Sequence, residues 1–88
     1  MKMISIVIPV LNEEQNLAPL HREIDEVLRS AGLQAEVIIV DDGSKDGSWN
    51  EVTQLARRDP RVQGIRFRRN FGKAAALSAG FACVRGEF

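Results

Sequence analysis

Side chains that could bind a ligand follow each of three apolar runs, and the first set is Asn12, Glu13 and Glu14. Asp41 and Asp42 follow the unbroken apolar run of residues 37–40, and residues 68–73 read Arg-Arg-Asn-Phe-Gly-Lys. Carboxylates accept hydrogen bonds from sugar hydroxyls and base N–H groups, whereas a lysine beside the free N–H groups of a helix start attracts phosphate. The combination predicts a nucleotide site, with the acids toward the nucleoside and the cations toward the phosphates.

The same segments admit other interpretations. Asp, Gly and Ser all favour turns, so the acidic pair could simply end a strand. A calcium loop that begins at Asp42 is disfavoured, because its twelfth position is Thr53 rather than Glu. Residues 9–14 lack the glycines of a dinucleotide fingerprint, and the Gly-Lys pair at 72–73 is followed by alanine instead of the Ser or Thr of a P-loop.

Three apolar runs predict the buried strands that would carry these residues. They cover residues 4–8, 37–40 and 62–67, and the third is interrupted by polar residues, which is typical of an edge strand. Pro9 suits the end of the first strand because it cannot donate to a ladder. The run 37–40 contains no alternating polar residue, so we expect it to be buried on both faces.

Apolar residues spaced three and four apart predict a helix after each of the first two strands. We expect Asn16 to cap the first helix and Gly32 to end it. Asp46 or Ser48 would cap the second helix, and Trp49 would face the core from it. Trp49 is therefore predicted to be a core residue rather than a platform for a sugar.

A third helix is predicted over residues 73–84, where small residues would let it lie close to a sheet. Gly86 would be its C-cap, and residues 87–88 could begin a fourth strand. The order β-α-β-α-β-α predicts an α/β fold with a parallel sheet and right-handed crossovers. Ligands of such sheets bind at the carboxyl ends of the strands, where residues 12–14, 41–42 and 68–73 would meet.

The composition is that of one small globular domain. The 88 residues are 44% apolar, and no apolar run is long enough to span a bilayer. Cys83 is the only cysteine, so an internal disulfide is excluded and a reducing cytosol is compatible with the chain. Residues 1–44 carry three basic and eight acidic side chains, whereas residues 45–88 carry nine basic and four acidic ones.

The remaining charged residues are predicted to lie on the surface. His21 has no cysteine or second histidine near it, so we interpret it as a surface residue rather than a metal ligand. Arg57, Arg58 and Arg61 surround the end of the second helix, where we expect them to be solvated or to compensate the helix dipole. We therefore predict no nucleic-acid partner.

Residues 5–14, 40–48 and 69–76 together resemble the N-terminal part of the inverting family 2 glycosyltransferases. Within that family the chain is most similar to the polyprenyl-phosphate sugar transferases related to dolichol-phosphate mannose synthase. The resemblance implies a Rossmann-like GT-A nucleotide-binding half with three parallel strands in the order 3-2-1, the fourth strand being missing or only begun. It also implies a hexosyltransferase that uses a nucleotide-sugar donor.

The resemblance further implies a set of binding residues. In the family, the loop after the first strand contacts the nucleotide, and the acid pair holds the base and ribose. This gives Asp42 the main contact, with Asp41 supporting it and Val40 lining the pocket, while Lys73 falls near the diphosphate. The nucleotide-sugar-binding residues implied in this way are Pro9, Leu11, Glu13, Val40, Asp41, Asp42 and Lys73.

The family's D-x-D metal motif and general base have no counterpart in residues 1–88. These residues are therefore expected to be the nucleotide-sugar-binding half of a glycosyltransferase domain, truncated before that motif. We expect no catalytic residue, metal ligand or cofactor in the chain, and no sugar transfer by the chain alone. Mg²⁺ or Mn²⁺ is expected for the full-length family member.

The resemblance also sets expectations for partners and location. The donor would be a UDP- or GDP-sugar, and the full-length protein would use a polyprenyl phosphate acceptor at the cytoplasmic face of the membrane. Without a fourth strand, residues 4–8 would be an apolar edge through which copies of the chain could associate. The alternatives are a small flavodoxin-like binding module, in which the acid pair is structural or regulatory, and an inactive truncated product.

Overall fold

Three parallel strands and three helices alternate along the chain. The computed structural model describes residues 3–85. Its three strands lie side by side in sequence order and pair in parallel, which confirms the predicted α/β class and the 3-2-1 order. The elements are β1 (Met3–Val10), α1 (Leu17–Ala31), β2 (Gln34–Asp41), α2 (Ser48–Arg58), β3 (Val62–Arg66) and α3 (Lys73–Ala82).

The central strand, β2, is buried on both faces, as its unbroken apolar run predicts. Val37 and Ile39 belong to a core cluster that includes apolar residues of α1 and α2. Ile38 and Val40 face the other side, where they form a second cluster with Ala76 of α3. The helices cover both faces of the sheet. The polar residues that follow the strands therefore lie at the carboxyl ends of the strands, where no helix covers them.

Helix α3 lies unusually close to the sheet. A Cβ atom placed on Gly80 would lie 3.3 Å from Val40 Cγ2 and would overlap Val7. The small residues of α3 therefore serve the close packing predicted for them. The helix ends at Ala82, two residues before the predicted end, and Cys83 takes the cap position. The predicted cap at Gly86 and the predicted start of a fourth strand lie outside the described residues.

The predicted ends of α1 are correct in position, whereas the predicted cap of α2 is displaced by one residue. Gly32 ends α1 in the left-handed conformation, with φ of 65°. Asn16 takes the N-cap position without a side-chain bond to the helix, and its amide donates to Glu13 Oε2 instead. At α2 the cap position belongs to Gly47 rather than to Asp46 or Ser48, although Asp46 Oδ1 accepts a hydrogen bond from the Ser48 N–H at 2.9 Å.

A polar cluster joins α1 to the start of β3, and it corrects two predictions. His21 Nε2 lies 2.8 Å from Asp59 Oδ2, so His21 is a partly buried partner of a carboxylate rather than a plain surface residue. Arg61 donates from Nη2 to Asp59 at 2.7 Å and to Asp25 at 2.7 Å. Arg61 is therefore paired, not simply solvated. Asp59 is a local partner of Arg61, but His21 and Asp25 belong to α1 and lie 38 and 36 residues from their partners, so no local pattern predicts these contacts.

A second buried carboxylate, Glu36 on β2, fastens the segment that follows α3. It accepts hydrogen bonds from the Ser5 hydroxyl at 2.8 Å and from the Arg85 N–H at 2.5 Å. These bonds stabilise a charge that burial would otherwise disfavour.

Strand β1 is an edge strand within the described part of the chain, since only β2 pairs with it. Next to it, α1 leaves Leu20 and Val27 partly uncovered, and Val27 is 63% exposed. Trp49 packs against the core, as predicted. None of the helices between residues 3 and 85 is both long and apolar enough to cross a membrane.

Candidate functional site

The loops that follow the three strands meet at the carboxyl edge of the sheet. We call them loop 1 (residues 11–16), loop 2 (residues 42–47) and loop 3 (residues 67–72). They surround an open cleft of about 250 Å³. The cleft is lined by Pro9, Val10, Leu11, Glu13, Asp42, Asn70, Gly72 and Lys73.

Three consecutive backbone N–H groups of loop 1 form hydrogen bonds with side chains in and next to loop 2. Those of residues 12, 13 and 14 donate to Ser44 Oγ at 2.9 Å, Ser48 Oγ at 2.8 Å and Asp46 Oδ2 at 3.3 Å. Ser48 in turn donates its hydroxyl to Asp46 at 2.6 Å. Hydrogen bonds from Ser48 hold the pKa of Asp46 below its ordinary value. The carboxylate therefore stays ionised as an acceptor near neutral pH.

Asn12 makes the tight turn at the start of loop 1. It is the one residue other than glycine among those described with a positive φ, at 53°. Asparagine tolerates this conformation because its short side chain can bond locally. Here the side-chain oxygen accepts a hydrogen bond from the Lys45 N–H at 2.8 Å. Loops 1 and 2 are thus bonded in both directions.

Loop 3 is fastened to the end of β2 by two neighbouring residues. Asp42 accepts hydrogen bonds from the Phe71 N–H at 2.8 Å and from the Gly72 N–H at 3.1 Å. Gly43 has φ of 78°, and a Cβ atom at this position would lie within 3 Å of backbone atoms of Arg69 and Asn70. Only glycine lets the two backbones approach so closely.

The two acids after β2 have different environments. Asp42 lines the cleft, whereas Asp41 has no exposed surface. Asp41 Oδ1 accepts a hydrogen bond from the Ser44 N–H at 3.0 Å, and its Oδ2 has no partner among the described residues. Val40 is also fully buried and packs on the α3 side. The cleft therefore brings together Pro9, Leu11, Glu13, Asp42 and Lys73, while Val40 and Asp41 lie behind its wall.

Loop 3 presents cations and an aromatic ring to solvent. The Arg69 guanidinium lies 4.7 Å from the centre of the Phe71 ring, which is an attractive cation–π distance. The Phe71 ring also meets Phe67 edge-on, at 5.6 Å between centroids. Lys73 is the first residue of α3 and lines the cleft. Positive charge and a helix N-terminus therefore face one side of the cleft.

The acid pair does not fit a metal site. Among residues 3–85, no group of three or more His, Cys, Asp or Glu side chains could hold a metal ion. Both oxygens of Asp42 face N–H groups of loop 3, and Asp41 faces loop 2.

The sequence profile of glycosyl transferase family 2 matches residues 5–88. The chain belongs to this family. It is 42% identical over 87 residues to an undecaprenyl-phosphate 4-deoxy-4-formamido-L-arabinose transferase of Pseudomonas fluorescens, covering 98% of this chain and 26% of the relative. It is 37% identical over 84 residues to a prophage bactoprenol glucosyl transferase homolog of Escherichia coli, covering 96% and 28%. The predicted resemblance is confirmed.

A solved structure shares the fold. A mannosyltransferase from Pyrobaculum calidifontis, determined with GDP-Man and Mn²⁺, superposes with a TM-score of 0.72 at 23% identity, over 94% of this chain and 24% of that protein. The likeness confirms the glycosyltransferase-type arrangement of strands and helices. The chain spans about a quarter of the length of these relatives.

Proposed function

We propose that residues 1–88 are the nucleotide-sugar-binding half of a glycosyltransferase domain. The observation that carries the proposal is the convergence of three fastened loops on one cleft at the carboxyl edge of the sheet. Two carboxylates, Glu13 and Asp42, line this cleft together with Lys73, a cation at the start of a helix. A nucleoside diphosphate has the matching chemistry, with hydroxyls and base N–H groups at one end and phosphates at the other.

The lining residues divide into two sides. Pro9 and Leu11 offer apolar surface to a base, and Glu13 offers a carboxylate to ribose hydroxyls. Lys73 and the N–H groups at the start of α3 offer positive charge to the diphosphate. Val40 and Asp41 support this site from behind: Val40 packs against α3, and Asp41 holds loop 2 through the Ser44 N–H.

The parent enzyme, in this proposal, transfers a hexose from a UDP- or GDP-sugar to a polyprenyl phosphate with inversion. The names of the relatives support this acceptor class. The full-length protein would act at the cytoplasmic face of the membrane and use Mg²⁺ or Mn²⁺ to stabilise the leaving diphosphate. Residues 1–88 alone would bind the donor without transferring sugar.

Calorimetric titration of the 88-residue chain with UDP, GDP and their sugars tests the proposal. We expect saturable binding of one nucleotide type, weakened about tenfold, or roughly 1.4 kcal/mol, by Asp42→Ala. Glu26→Ala, which changes an exposed residue of α1, is the control and should bind as the wild type does. No binding by the wild type would favour an inactive product that retains only the family's sequence. Turnover with donor and polyprenyl phosphate would refute the expected lack of transfer.

We also propose that the chain associates with itself through the β1 edge. The support is a strand that, among residues 3–85, pairs on one side only, beside apolar surface formed by Ile6, Leu20 and Val27. Light scattering should then show a mass that rises with concentration, and Val27→Glu should reduce the rise. Leu33→Glu, at another exposed apolar residue, is the matched control. A monomer at every concentration would contradict the proposal.

A further inference from the structure

Loop 3 exposes the side chain of Phe71, which belongs to neither core cluster and does not line the cleft. It is 54% exposed, the largest value among the aromatic residues that the structure describes. Its ring contacts are with Phe67 and Arg69. A single apolar side chain on a surface is common and needs no partner. The interpretation of Phe71 therefore depends on the residues around it.

Cations surround Phe71, and no acid pairs with them. Arg68, Arg69 and Lys73 are all exposed, and none of the ion pairs between residues 3 and 85 includes any of them. The sequence between residues 60 and 86 contains six Lys and Arg residues and no Asp or Glu, whereas loops 1 and 2 together carry four acids and one lysine. Positive charge at the carboxyl edge of the sheet is therefore concentrated on loop 3 and the start of α3.

Arg68, Arg69 and Phe71, which we call the loop 3 patch, stand on a fixed backbone. The Phe71 N–H donates a hydrogen bond to Asp42 at 2.8 Å. The Arg69 backbone packs so closely on Gly43 that a Cβ atom on that glycine would overlap it. The Arg69 guanidinium also lies 4.7 Å from the centre of the Phe71 ring, which holds charge and ring side by side. A surface ordered in this way loses little conformational entropy when it binds a partner.

An anionic lipid surface has the chemistry that matches this patch. Arginines near such a surface are attracted to lipid phosphates, and an aromatic ring is favourable at the level of the headgroups. A nucleic acid fits less well, because the chain has a formal net charge of zero and the Arg69 guanidinium occupies a face of the Phe71 ring on which a base would stack. The acids of loops 1 and 2 would repel an anionic surface, so contact would be limited to loop 3.

We propose that the loop 3 patch binds the surface of an anionic lipid bilayer, with Phe71 at the level of the headgroups and Arg68 and Arg69 against the lipid phosphates. This contact needs neither a nucleotide nor an acceptor, so the inference goes beyond the proposed function. It also has a consequence for that function. Asn70 and Gly72 of the same loop line the cleft, so docking would place the cleft beside the surface that holds a polyprenyl phosphate.

Co-sedimentation of the 88-residue chain with vesicles tests the proposal. We expect binding to vesicles of phosphatidylcholine and phosphatidylglycerol in equal parts, little binding to phosphatidylcholine alone, and weaker binding as salt is added. The double variant Arg68→Gln/Arg69→Gln should weaken binding at least about tenfold, and Phe71→Ser should weaken it about fivefold. The matched control is Arg57→Gln/Arg58→Gln, which removes the same charge from two exposed neighbours at the end of α2 and should change binding less than about twofold.

Three outcomes would overturn the proposal. The first is equal binding to both kinds of vesicle, and the second is equal weakening by the two double variants, which would reduce the effect to net charge. The third is tighter binding to a single-stranded oligonucleotide than to the anionic vesicles, which would make a nucleic acid the partner. The vesicle assay contains no nucleotide. A chain that binds vesicles but neither UDP nor GDP would therefore support this inference and refute the proposed function.

A measurement on the wild type keeps the proposal testable even if the variants do not fold. Spin-labelled lipid in the anionic vesicles should broaden the amide NMR signals of residues 68–71 more strongly than those of any other segment. Strongest broadening along β1 or α1 would place the lipid contact on the apolar surface beside the sheet edge. That result would contradict the assignment to loop 3.

Discussion

Gly43→Ala should destabilise the fold by about 3 kcal/mol, which combines left-handed strain with steric overlap. The strain arises because φ is 78°, a conformation that costs an L-residue about 1–2 kcal/mol. The overlap arises because the new Cβ would clash with the Arg69 carbonyl carbon and the Asn70 nitrogen. These are backbone atoms, so no side-chain rotation relieves the contact and loop 3 itself must move.

The displacement of loop 3 should also change the shape of the cleft. Asn70, Gly72 and Lys73 line it, and all three follow directly on the atoms that the new Cβ would push. If the proposed function is right, nucleoside diphosphate affinity should fall at least about tenfold. Denaturant unfolding measures the first effect, and calorimetry on the folded variant measures the second.

Gly32→Ala is a matched control for Gly43→Ala. Gly32 also has a left-handed backbone, with φ of 65°, but a Cβ atom there meets nothing within 4 Å. We expect this variant to lose about 1 kcal/mol from strain alone and to bind nucleotide normally. The difference between the two variants therefore isolates the contact with loop 3. Equal destabilisation in both, with unchanged nucleotide binding, would show that loop 3 does not rest on Gly43.

The sequence predicts the secondary structure of this chain well because local patterns determine it. The apolar run 37–40 predicts the central strand, and apolar spacing predicts α1 and α2. Parallel order then places the three loops at one edge, which is enough to bring five of the seven predicted binding residues to one cleft. Each of these steps depends on periodicity or topology rather than on atomic contact.

The fastening of the loops could not be predicted in the same way. Asp42 bonds residues 29 and 30 positions away, and Ser48 bonds a residue 35 positions away. Such bonds depend on the final backbone geometry, which no local pattern encodes. The usable signal is the density of Asp, Gly and Ser in residues 41–48. Those residue types indicate a turn. In the structure the same residues also hold loops 1 and 3 in place through hydrogen bonds, so the turn forms part of the cleft.

Asp59→Asn should cost about 2 kcal/mol of stability near neutral pH, since it weakens several charge-assisted bonds in one cluster. Asp59 accepts from the Arg61 side chain at 2.9 and 2.7 Å and lies 2.8 Å from His21 Nε2. Arg61 would keep only its bond to Asp25 as an ion pair. The cluster lies away from the residues that line the cleft, so nucleotide affinity of the folded variant should be unchanged.

The pH dependence gives this prediction a definite sign. The hydrogen bond from Arg61 holds the pKa of Asp59 well below its ordinary value, and the pair with His21 acts in the same direction. A depressed pKa in the folded state means that the carboxylate stabilises the fold fully above its unfolded-state pKa of about 4. The contribution is lost as the pH falls from about 4 toward the folded-state pKa.

The stability difference between wild type and Asp59→Asn should therefore shrink as the pH falls below about 4. Denaturant unfolding of both proteins at a series of pH values measures it. Glu26→Gln, which neutralises an exposed carboxylate on α1, should differ from the wild type by less than about 0.5 kcal/mol. A difference for Asp59→Asn that grows as the pH falls would mean that the carboxylate is stabilised in its protonated form, contrary to its pairing with Arg61. If the difference stays constant down to about pH 2, the stabilisation comes from the packing of the Asp59 side chain and not from its negative charge.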